Sequence, residues 1–147
     1  MLKVPAIDIA EVGAGGGSIA WIDDGGLLRV GPRSVGADPG PACYGRGNEK
    51  PTVTDADVYL GYLNPHALAG GSLAINPELS ELAIRTHVAE PLGISLVEAA
   101  QGIRRIANLE MARAIRSVTV ERGQDARDMI LMAAGGGGPA HAGEGAE

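Results

Sequence analysis

Apolar residues in the first half of the chain, up to about Gly71, occur in short runs that glycine and proline interrupt. This pattern is typical of short strands joined by tight turns. The runs IAWID, at 19–23, and LLRV, at 27–30, flank an Asp-Gly-Gly tripeptide at 24–26. Because such tripeptides readily adopt the positive φ angles of a tight turn, the pattern predicts a β-hairpin. The next segment, 31–51, is too rich in glycine and proline for regular structure and is expected to be an ordered loop.

The second half of the chain changes to a helical period. The segment 77–92 is expected to form a helix that begins at its proline and ends or kinks at Pro91, which lacks a backbone N–H. Ser95 is followed three residues later by Glu98, a capping box in which each side chain binds a free amide at the start of a helix. A long helix is therefore predicted from about Leu96 to Val118.

One face of this long helix is apolar. Side chains three or four residues apart lie on the same face of a helix. The apolar stripe consists of Ile103, Ala107, Met111, Ala114 and Val118, and the other side carries Arg104, Arg105, Arg113 and Arg116. We interpret the arginines as a solvated face, with phosphate or partner binding as the alternative. Ile103, Ala107, Met111 and Ala114 are thus expected to be buried, and Arg104 and Arg113 exposed.

Three glycine-rich elements stand out: GAGGGS at 13–18, GADPGPACYGRG at 36–47 and GGGGP at 135–139. The apolar run MILMAA, at 129–134, precedes the third element and predicts a buried strand of a parallel sheet. A strand, a glycine loop and a helix start allow bare backbone to approach a nucleotide. The first and third elements do not match the Walker spacing, and the Rossmann spacing with its acidic ribose ligand is absent. Ordinary turns in a glycine-rich chain remain the alternative.

Composition narrows the possible function classes. The 147 residues carry a formal net charge of -6 without a basic cluster, which argues against nucleic-acid binding. No stretch approaches the roughly 18 uninterrupted apolar residues of a membrane span. The N-terminus MLKVPAIDIAEVG lacks the layout of a signal peptide, so a cytoplasmic protein is expected. The single Cys43 is expected to be a structural residue, because free cysteine usually behaves as a small apolar side chain.

The apolar content of the chain consists mainly of small side chains. Hydrophobic residues make up 45% of the sequence, which has 23 glycines, 23 alanines and no phenylalanine. Alanine removes little apolar area from water on burial, so a single domain of marginal stability is expected.

Several motifs in sequence order resemble a known family. The string GAGGGSIAWIDDGGLLRVGPRSVGADPGPACYGRG is followed by PTVTDADVYLGYL, then by RIANLEMARAIRSVTVERGQDARD, then by GGGGPAHA. These strings resemble the hydantoinase A / 5-oxoprolinase / acetone carboxylase family, and the resemblance extends from about Asp8 to Ala142.

The resemblance implies an α/β fold. The expected structure is a partial actin-like (ribonuclease H-like) ATPase lobe, with short strands and glycine loops in the first half and helices in the second. The resemblance also implies ATP and Mg²⁺ as cofactors of the intact enzyme, with none bound tightly by this chain. The residues implied to hold the adenosine are Ala134, Gly135, Gly136, Gly137, Gly138, Pro139 and His141. For the His141 side chain, a hydrogen bond at a helix N-terminus is favoured over acid–base catalysis.

Three aspartates could contribute to catalysis. The possible functional roles are contact with substrate, contact with a metal ion and general-base catalysis, and they apply to Asp38, Asp55 and Asp57. The alternative is turn chemistry, in which the carboxylate binds nearby backbone amides. The catalytic residues stay unassigned, with Asp38 and Asp55 as the candidates, and no metal ligand is assigned.

Residues 1–147 are expected to be a fragment of a longer chain, because members of the family are several hundred residues long and carry Asp-Gly-Gly-Thr phosphate loops upstream of this segment. The leading hypothesis is part of an ATP-dependent hydrolase that opens cyclic amides of the hydantoin or 5-oxoproline type, inactive alone. Its partners would be the rest of the enzyme or a companion hydantoinase B-type subunit, and a small cyclic amide. Two alternatives stay open, a non-catalytic interaction module and the ATP-binding part of a ketone carboxylase.

Overall fold

A computed structural model describes residues 13–120, 123 and 125–145. The N-terminal segment on which the absence of a signal peptide was judged therefore lies almost wholly outside the described residues. The predicted hairpin is confirmed: strands β1 (Ser18–Ile22) and β2 (Leu28–Ser34) pair in antiparallel orientation. The side chain of Asp23 holds the turn, since its Oδ1 accepts hydrogen bonds from the amides of Gly25 and Leu27, both at 3.0 Å.

Strand β2 is longer than the apolar pattern predicted. It continues through Gly31 and Pro32 to Ser34, four residues into the segment expected to be a loop. The Trp21 indole N–H donates to the carbonyl of Gly31 at 2.8 Å, and Ser18 pairs with Ser34 beyond an irregularity in the register. These cross-strand bonds extend pairing past residues whose own preference is for turns.

The first helix, α1 (Val53–Tyr59), was not predicted from the apolar pattern. Thr52 and Asp55 form a capping box at its start, with each side chain accepting a hydrogen bond from the other residue's backbone amide. The two short strands β3 (Ala67–Leu68) and β4 (Leu73–Ala74) follow and pair in antiparallel orientation.

The prediction of a helix that begins at Pro77 is confirmed, whereas the interruption lies before Pro91 and not at that proline. Helix α2 (Pro77–Ile84) passes into a wider π turn at Arg85–Ala89 and then into the short helix α3 (Glu90–Leu92). Pro91 lacks the N–H that regular α-helical bonding requires, and a π turn is one way to absorb a local change of register. The chain leaves the helix at Gly93, whose φ of 64° is in the left-handed region.

The long helix α4 spans Leu96–Val120, and its predicted capping box is confirmed. The Ser95 hydroxyl and amide both donate to Glu98, at 2.7 and 2.9 Å, and the Glu98 amide donates back to the Ser95 hydroxyl oxygen at 3.2 Å. Ile103 and Ala107 are buried as expected, whereas Met111 and Ala114 are only half-buried. The apolar face therefore contacts the core over the first half of the helix and loses that contact towards its end.

The prediction of exposure holds for Arg113 and is wrong for Arg104. The Arg104 residue is 4% exposed, because its guanidinium is paired with the buried carboxylate of Asp57. Its position, one step of about 100° from Ile103, lies at the edge of the apolar stripe, where a charged side chain is buried only if a partner meets it.

The predicted strand at 129–134 does not form. These residues follow a single turn at Ala126–Asp128 without regular structure, and their side chains are exposed, Ile130 to 95% and Met132 to 85%. A strand requires a neighbour for its backbone hydrogen bonds, and no strand of the described segments lies beside this one. The chain instead enters helix α5 (Gly138–Gly145) directly from Gly135–Gly137.

The described elements form a mixed α and β structure with one main core. The hairpin, the helix α1, the α2–α3 segment and the first half of α4 contribute its buried apolar residues: Ala20, Val53, Ala56, Ile84, Val88, Ala89, Ala99, Ala100, Ile103 and Ala107. A smaller cluster of Cys43, Val58 and Ile75 packs beneath the β3–β4 ribbon. None of the described helices is long and apolar enough to cross a membrane.

Candidate functional site

The candidate catalytic residue Asp55 is fully buried at the N-terminus of α1. Its two carboxylate oxygens accept hydrogen bonds from the amides of Ala42 (3.1 Å), Cys43 (2.8 Å) and Thr52 (2.9 Å). They also accept from the hydroxyls of Thr52 (2.8 Å) and Ser80 (2.9 Å). Five donors occupy the carboxylate and fix the loop before α1 to the helix. Backbone binding, the alternative for this residue, is therefore the role that the contacts support.

Cys43 is a free, fully buried thiol beside this carboxylate. Burial and, after it, the negative charge of Asp55 raise the pKa of the Cys43 thiol to about 12. A thiol reacts through its thiolate, so a raised pKa keeps Cys43 protonated and unreactive near neutral pH. The expected structural role of this cysteine agrees with its position.

Asp38 lies apart from the other aspartates. It is exposed in the turn before Pro39, and no hydrogen bond or ion pair joins it to Asp55 or Asp57 among the described contacts. The structure thus does not assemble the candidate aspartates into one carboxylate cluster. No group of three or more His, Cys, Asp or Glu side chains within 13–120, 123 and 125–145 is arranged to hold a metal ion.

Packing and backbone conformation explain Gly16, Gly17 and Gly40 in the first two glycine-rich elements, whereas a Cβ at Gly15 would meet no described atom within 4 Å. A Cβ at Gly16 would lie 2.6 Å from the Thr54 hydroxyl oxygen, and one at Gly17 would lie 2.8 Å from that of Ser34. In the second element, Gly40 has a φ of +77°, and a Cβ there would lie 2.5 Å from the Tyr44 ring. Glycine is required at these positions by close approach and by positive φ.

In the third glycine-rich element, three of the four glycines have neither a positive φ nor a close contact that would require glycine. Gly135 has a φ of +88°, which favours glycine, but Gly136, Gly137 and Gly138 have no positive φ. A Cβ at any of these three positions would meet no described atom within 4 Å. Residues 135–137, here called the glycine loop, are exposed, and α5 begins at the next residue. Neither packing among the described residues nor backbone strain requires glycine at 136–138.

A buried polar cluster lies behind the start of α5. Arg104 donates from Nη1 to Asp57 Oδ1, and its guanidinium carbon lies 3.6 Å from the centroid of the Tyr62 ring. The His141 ring is bonded through Nδ1 to Asn108 Oδ1 at 2.6 Å. We refer to Asp57, Arg104, Asn108 and His141 as the buried polar cluster. It joins α1, α4 and α5 at one point.

Within this cluster, His141 faces the core. Its Nε2 lies 3.0 Å from Asp57 Oδ2, although the approach lacks the direction of a hydrogen bond. The contact with Asp57 is therefore close without being a hydrogen bond, and the directional bond of the ring is the one to Asn108. These contacts support the favoured role of His141, a hydrogen bonder in the first turn of a helix. Binding of a cofactor by His141 and Pro139 stays a prediction.

Sequence reasoning found three members of this cluster separately and missed their association. Asp57 and His141 were singled out as possible functional residues, and Arg104 was assigned to the solvated face. Asn108 lies one turn beyond Arg104 on α4, a spacing that places both side chains on one side of the helix. The only signal in the sequence was the presence of two polar residues next to the apolar stripe.

Comparison with known proteins identifies the family. The family model described as hydantoinase/oxoprolinase matches residues 1–147. The chain belongs to this hydantoinase/oxoprolinase family. The resemblance that the motifs indicated is thereby confirmed over the whole length of the sequence.

Two relatives within this family have different activities in their names. The chain is 54% identical to caprolactamase subunit alpha of Pseudomonas jessenii over 95% of its own length and 20% of that protein. It is 49% identical to the acetophenone carboxylase gamma subunit of Aromatoleum aromaticum, over 96% of its own length and 19% of that protein. The family relatives thus include an amide-opening enzyme and a carboxylase.

A solved structure supports the fold. The crystal structure of the ATP-dependent caprolactamase from Pseudomonas jessenii superposes with a TM-score of 0.84 and 52% identity, covering 99% of this chain and 22% of that one. The chain therefore spans about a fifth of the length of the relatives it matches. The mixed α and β architecture is shared with this family member.

Proposed function

We propose that this chain is part of the ATP-binding lobe of an enzyme that uses ATP to open a cyclic amide, and that the glycine loop and Gly138 form the edge that faces the nucleotide. The single observation that supports the proposal most directly is the open space at Gly136, Gly137 and Gly138. At these positions, neither packing against the described residues nor the φ angle requires glycine. A ligand that approaches the backbone closely would explain why glycine stands there.

The residues around the loop fit an adenosine. The bare backbone of Gly136 and Gly137 would lie against the base and ribose, and the amides at the start of α5 would face negative charge. Pro139 lies in the first turn of α5, where its missing N–H removes no helical hydrogen bond. The hydrogen bond between the His141 ring and Asn108 would hold this turn against α4.

The chemistry of the intact enzyme follows from the cofactor class. ATP, bound with Mg²⁺, would supply a phosphoryl group to the amide oxygen and so make the ring carbonyl open to water. The part assigned to this chain is binding and orientation of the nucleotide. No residue of the chain is assigned to the metal or to the chemical step, and the actin-like architecture of the whole lobe is part of the proposal.

The family relatives favour ATP use without separating the reactions. The solved relative is an ATP-dependent caprolactamase, which supports amide opening as the first candidate. The 49% identity to an acetophenone carboxylase subunit supports ketone carboxylation as the second. Because both relatives are named as subunits, we further propose that the intact protein works with a companion subunit, of hydantoinase B type. A non-catalytic interaction module is a third candidate, which the exposed apolar residues at 129–132 favour.

The test replaces Gly136 by Val at the matching position of a full-length family member. The side chain would fill the space proposed for adenosine, so the Michaelis constant for ATP should rise about tenfold or more, the effect of losing about 1.4 kcal/mol of binding. Gly143→Val, a matched change in α5 that also meets open space, is the control and should leave the ATP dependence unchanged.

The circular dichroism spectrum should be the same for both variants and the parent enzyme. If Gly136→Val folds normally and its ATP dependence equals that of the parent, the glycine loop does not face the nucleotide. The plain-turn interpretation of the third glycine-rich element would then be correct.

A further inference from the structure

We propose that Arg104 is a positioning residue for the glycine loop: it fixes the first turn of α5, and through that turn the loop, to the body of the molecule. The positioning itself follows from contacts within this chain. Only its consequence for ATP binding rests on the proposed function.

The start of α5 is attached by polar contacts at two consecutive residues, Ala140 and His141. The Ala140 carbonyl accepts a hydrogen bond from Arg104 Nη2, and the His141 ring is bonded to Asn108. Both of these hydrogen-bond partners lie on α4, which packs in the core over its first half. The His141 ring also lies beside Asp57 of α1. The hydrogen bonds at the start of α5 therefore come from side chains of α4.

Ala140 connects the attachment of α5 to the glycine loop. The Ala140 amide donates to the carbonyl of Gly137 at 3.1 Å, so Ala140 is bonded to the loop on one side and to Arg104 on the other. Gly136 and Gly137 have no side chains, and a Cβ there would touch no described atom. Because no side chain of the loop packs on the body, its position depends on the attachment of Ala140.

The shape of the arginine side chain suits position 104. The guanidinium donates from Nη1 to Asp57 and from Nη2 to Ala140, two acceptors on different elements, while its face covers the Tyr62 ring. A planar fork can hold two acceptors at once in fixed geometry, whereas a lysine ammonium is a single point of charge. Asp57 neutralises the buried cation, so the arginine can present its second arm to a backbone carbonyl.

Arg104→Lys separates positioning from a merely structural ion pair. The lysine keeps a positive charge opposite Asp57 and loses the simultaneous bond to Ala140. In the 147-residue chain, amide hydrogen exchange over 135–142 should become about tenfold faster, as expected from losing one charge-assisted hydrogen bond. Exchange in α1 should change less than twofold. Arg113→Lys, an exposed matched change on the same helix, should leave exchange at 135–142 unaltered.

A second variant covers the case in which the lysine chain fails to fold. Asn108→Ala removes the side-chain partner of the His141 ring and keeps both members of the Arg104–Asp57 pair. It should also speed exchange over 135–142, because it releases the other contact of the same turn. Equal exchange over 135–142 in the parent chain and in whichever variant folds would overturn the positioning role.

The consequence for ATP is measured in a full-length family member that has arginine and glycine at the matching positions. Arg104→Lys should raise the Michaelis constant for ATP about tenfold and change kcat less than twofold, because orientation of the loop is lost while the reacting groups are untouched. If Gly136→Val raises this constant and Arg104→Lys leaves it unchanged, the positioning role is wrong and the proposed function stands. If Gly136→Val has no effect, the proposed function fails, and the exchange result alone decides the positioning role.

Discussion

At the scale of single residues, three aspartates with similar sequence surroundings have three different environments. Asp38 is exposed in a turn, Asp55 binds backbone amides and hydroxyls, and Asp57 neutralises a buried arginine. All three lie in the first 57 residues, and each has an alanine beside it. Their roles differ because the partners of Asp55 and Asp57 come from elsewhere in the fold, Ser80 from α2 and Arg104 from α4.

The structural role of Asp55 predicts a large effect on stability. Asp55→Asn replaces one carboxylate oxygen by an NH₂ group that faces amide and hydroxyl donors, so at least two buried donors lose their acceptor. We expect a loss of about 3 kcal/mol or more in the free energy of unfolding, measured by urea denaturation. Asp38→Asn, at an exposed position with no side-chain hydrogen bond or ion pair among the described residues, is the control and should change stability by less than about 0.5 kcal/mol. A stable, folded Asp55→Asn chain would return Asp55 to the catalytic candidates.

At the scale of elements, capping residues in the sequence predicted where α4 begins, but the apolar pattern predicted only part of the helix face that packs in the core. The Ser95–Glu98 spacing identified the start of α4, and Pro77 identified the start of α2. The analogous pair Thr52 and Asp55 caps α1, which the apolar pattern alone did not reveal. A capping box involves only residues that are three positions apart, so it can be identified from a short stretch of sequence.

The capping box of α4 predicts a pH-dependent contribution to stability. Hydrogen bonds from the Ser95 hydroxyl, and then from its amide, lower the pKa of Glu98 below its usual 4.5. Because the folded state binds this proton less readily than the unfolded state, the contribution is present above pH 4.5 and is lost as the pH falls through the lowered pKa.

Ser95→Ala should therefore reduce stability at pH 7, with a smaller difference from the parent chain at pH 3. Thermal unfolding of both chains across this pH range measures the effect. Gln101→Ala, at an exposed position of the same helix, should show no such pH dependence. A difference between parent and Ser95→Ala that is equal at both pH values would exclude the contribution of the Glu98 carboxylate.

At the scale of the whole molecule, the apolar content is divided between a packed core and an exposed segment. Ile103 is fully buried in the main core, whereas Ile130 is almost fully exposed in the run at 129–134. The chain spans about a fifth of its relatives. An exposed apolar run of this kind is unusual on a protein surface.

This division predicts opposite responses to substitution at two isoleucines. Ile130→Lys should change the free energy of unfolding of this chain by less than about 0.5 kcal/mol, because the side chain contacts little. Ile103→Ala should cost about 2–5 kcal/mol, since it leaves a cavity in the core. Urea denaturation of the two variants and the parent provides the comparison. A cost above about 2 kcal/mol for Ile130→Lys would show that the segment packs in this chain.

Elements whose causes are local could be predicted from the sequence: the hairpin turn at Asp23–Gly26, the start of α2 and the start of α4. The family could be identified as well, because motif order is a property of the sequence. The burial of Arg104 against Asp57, the structural use of Asp55 and the unpaired state of residues 129–134 depend on the fold of the chain. In each of these cases the free energy depends on a partner distant in sequence. A buried charge needs its counter-ion and a strand needs its neighbour, and periodicity along the chain describes neither.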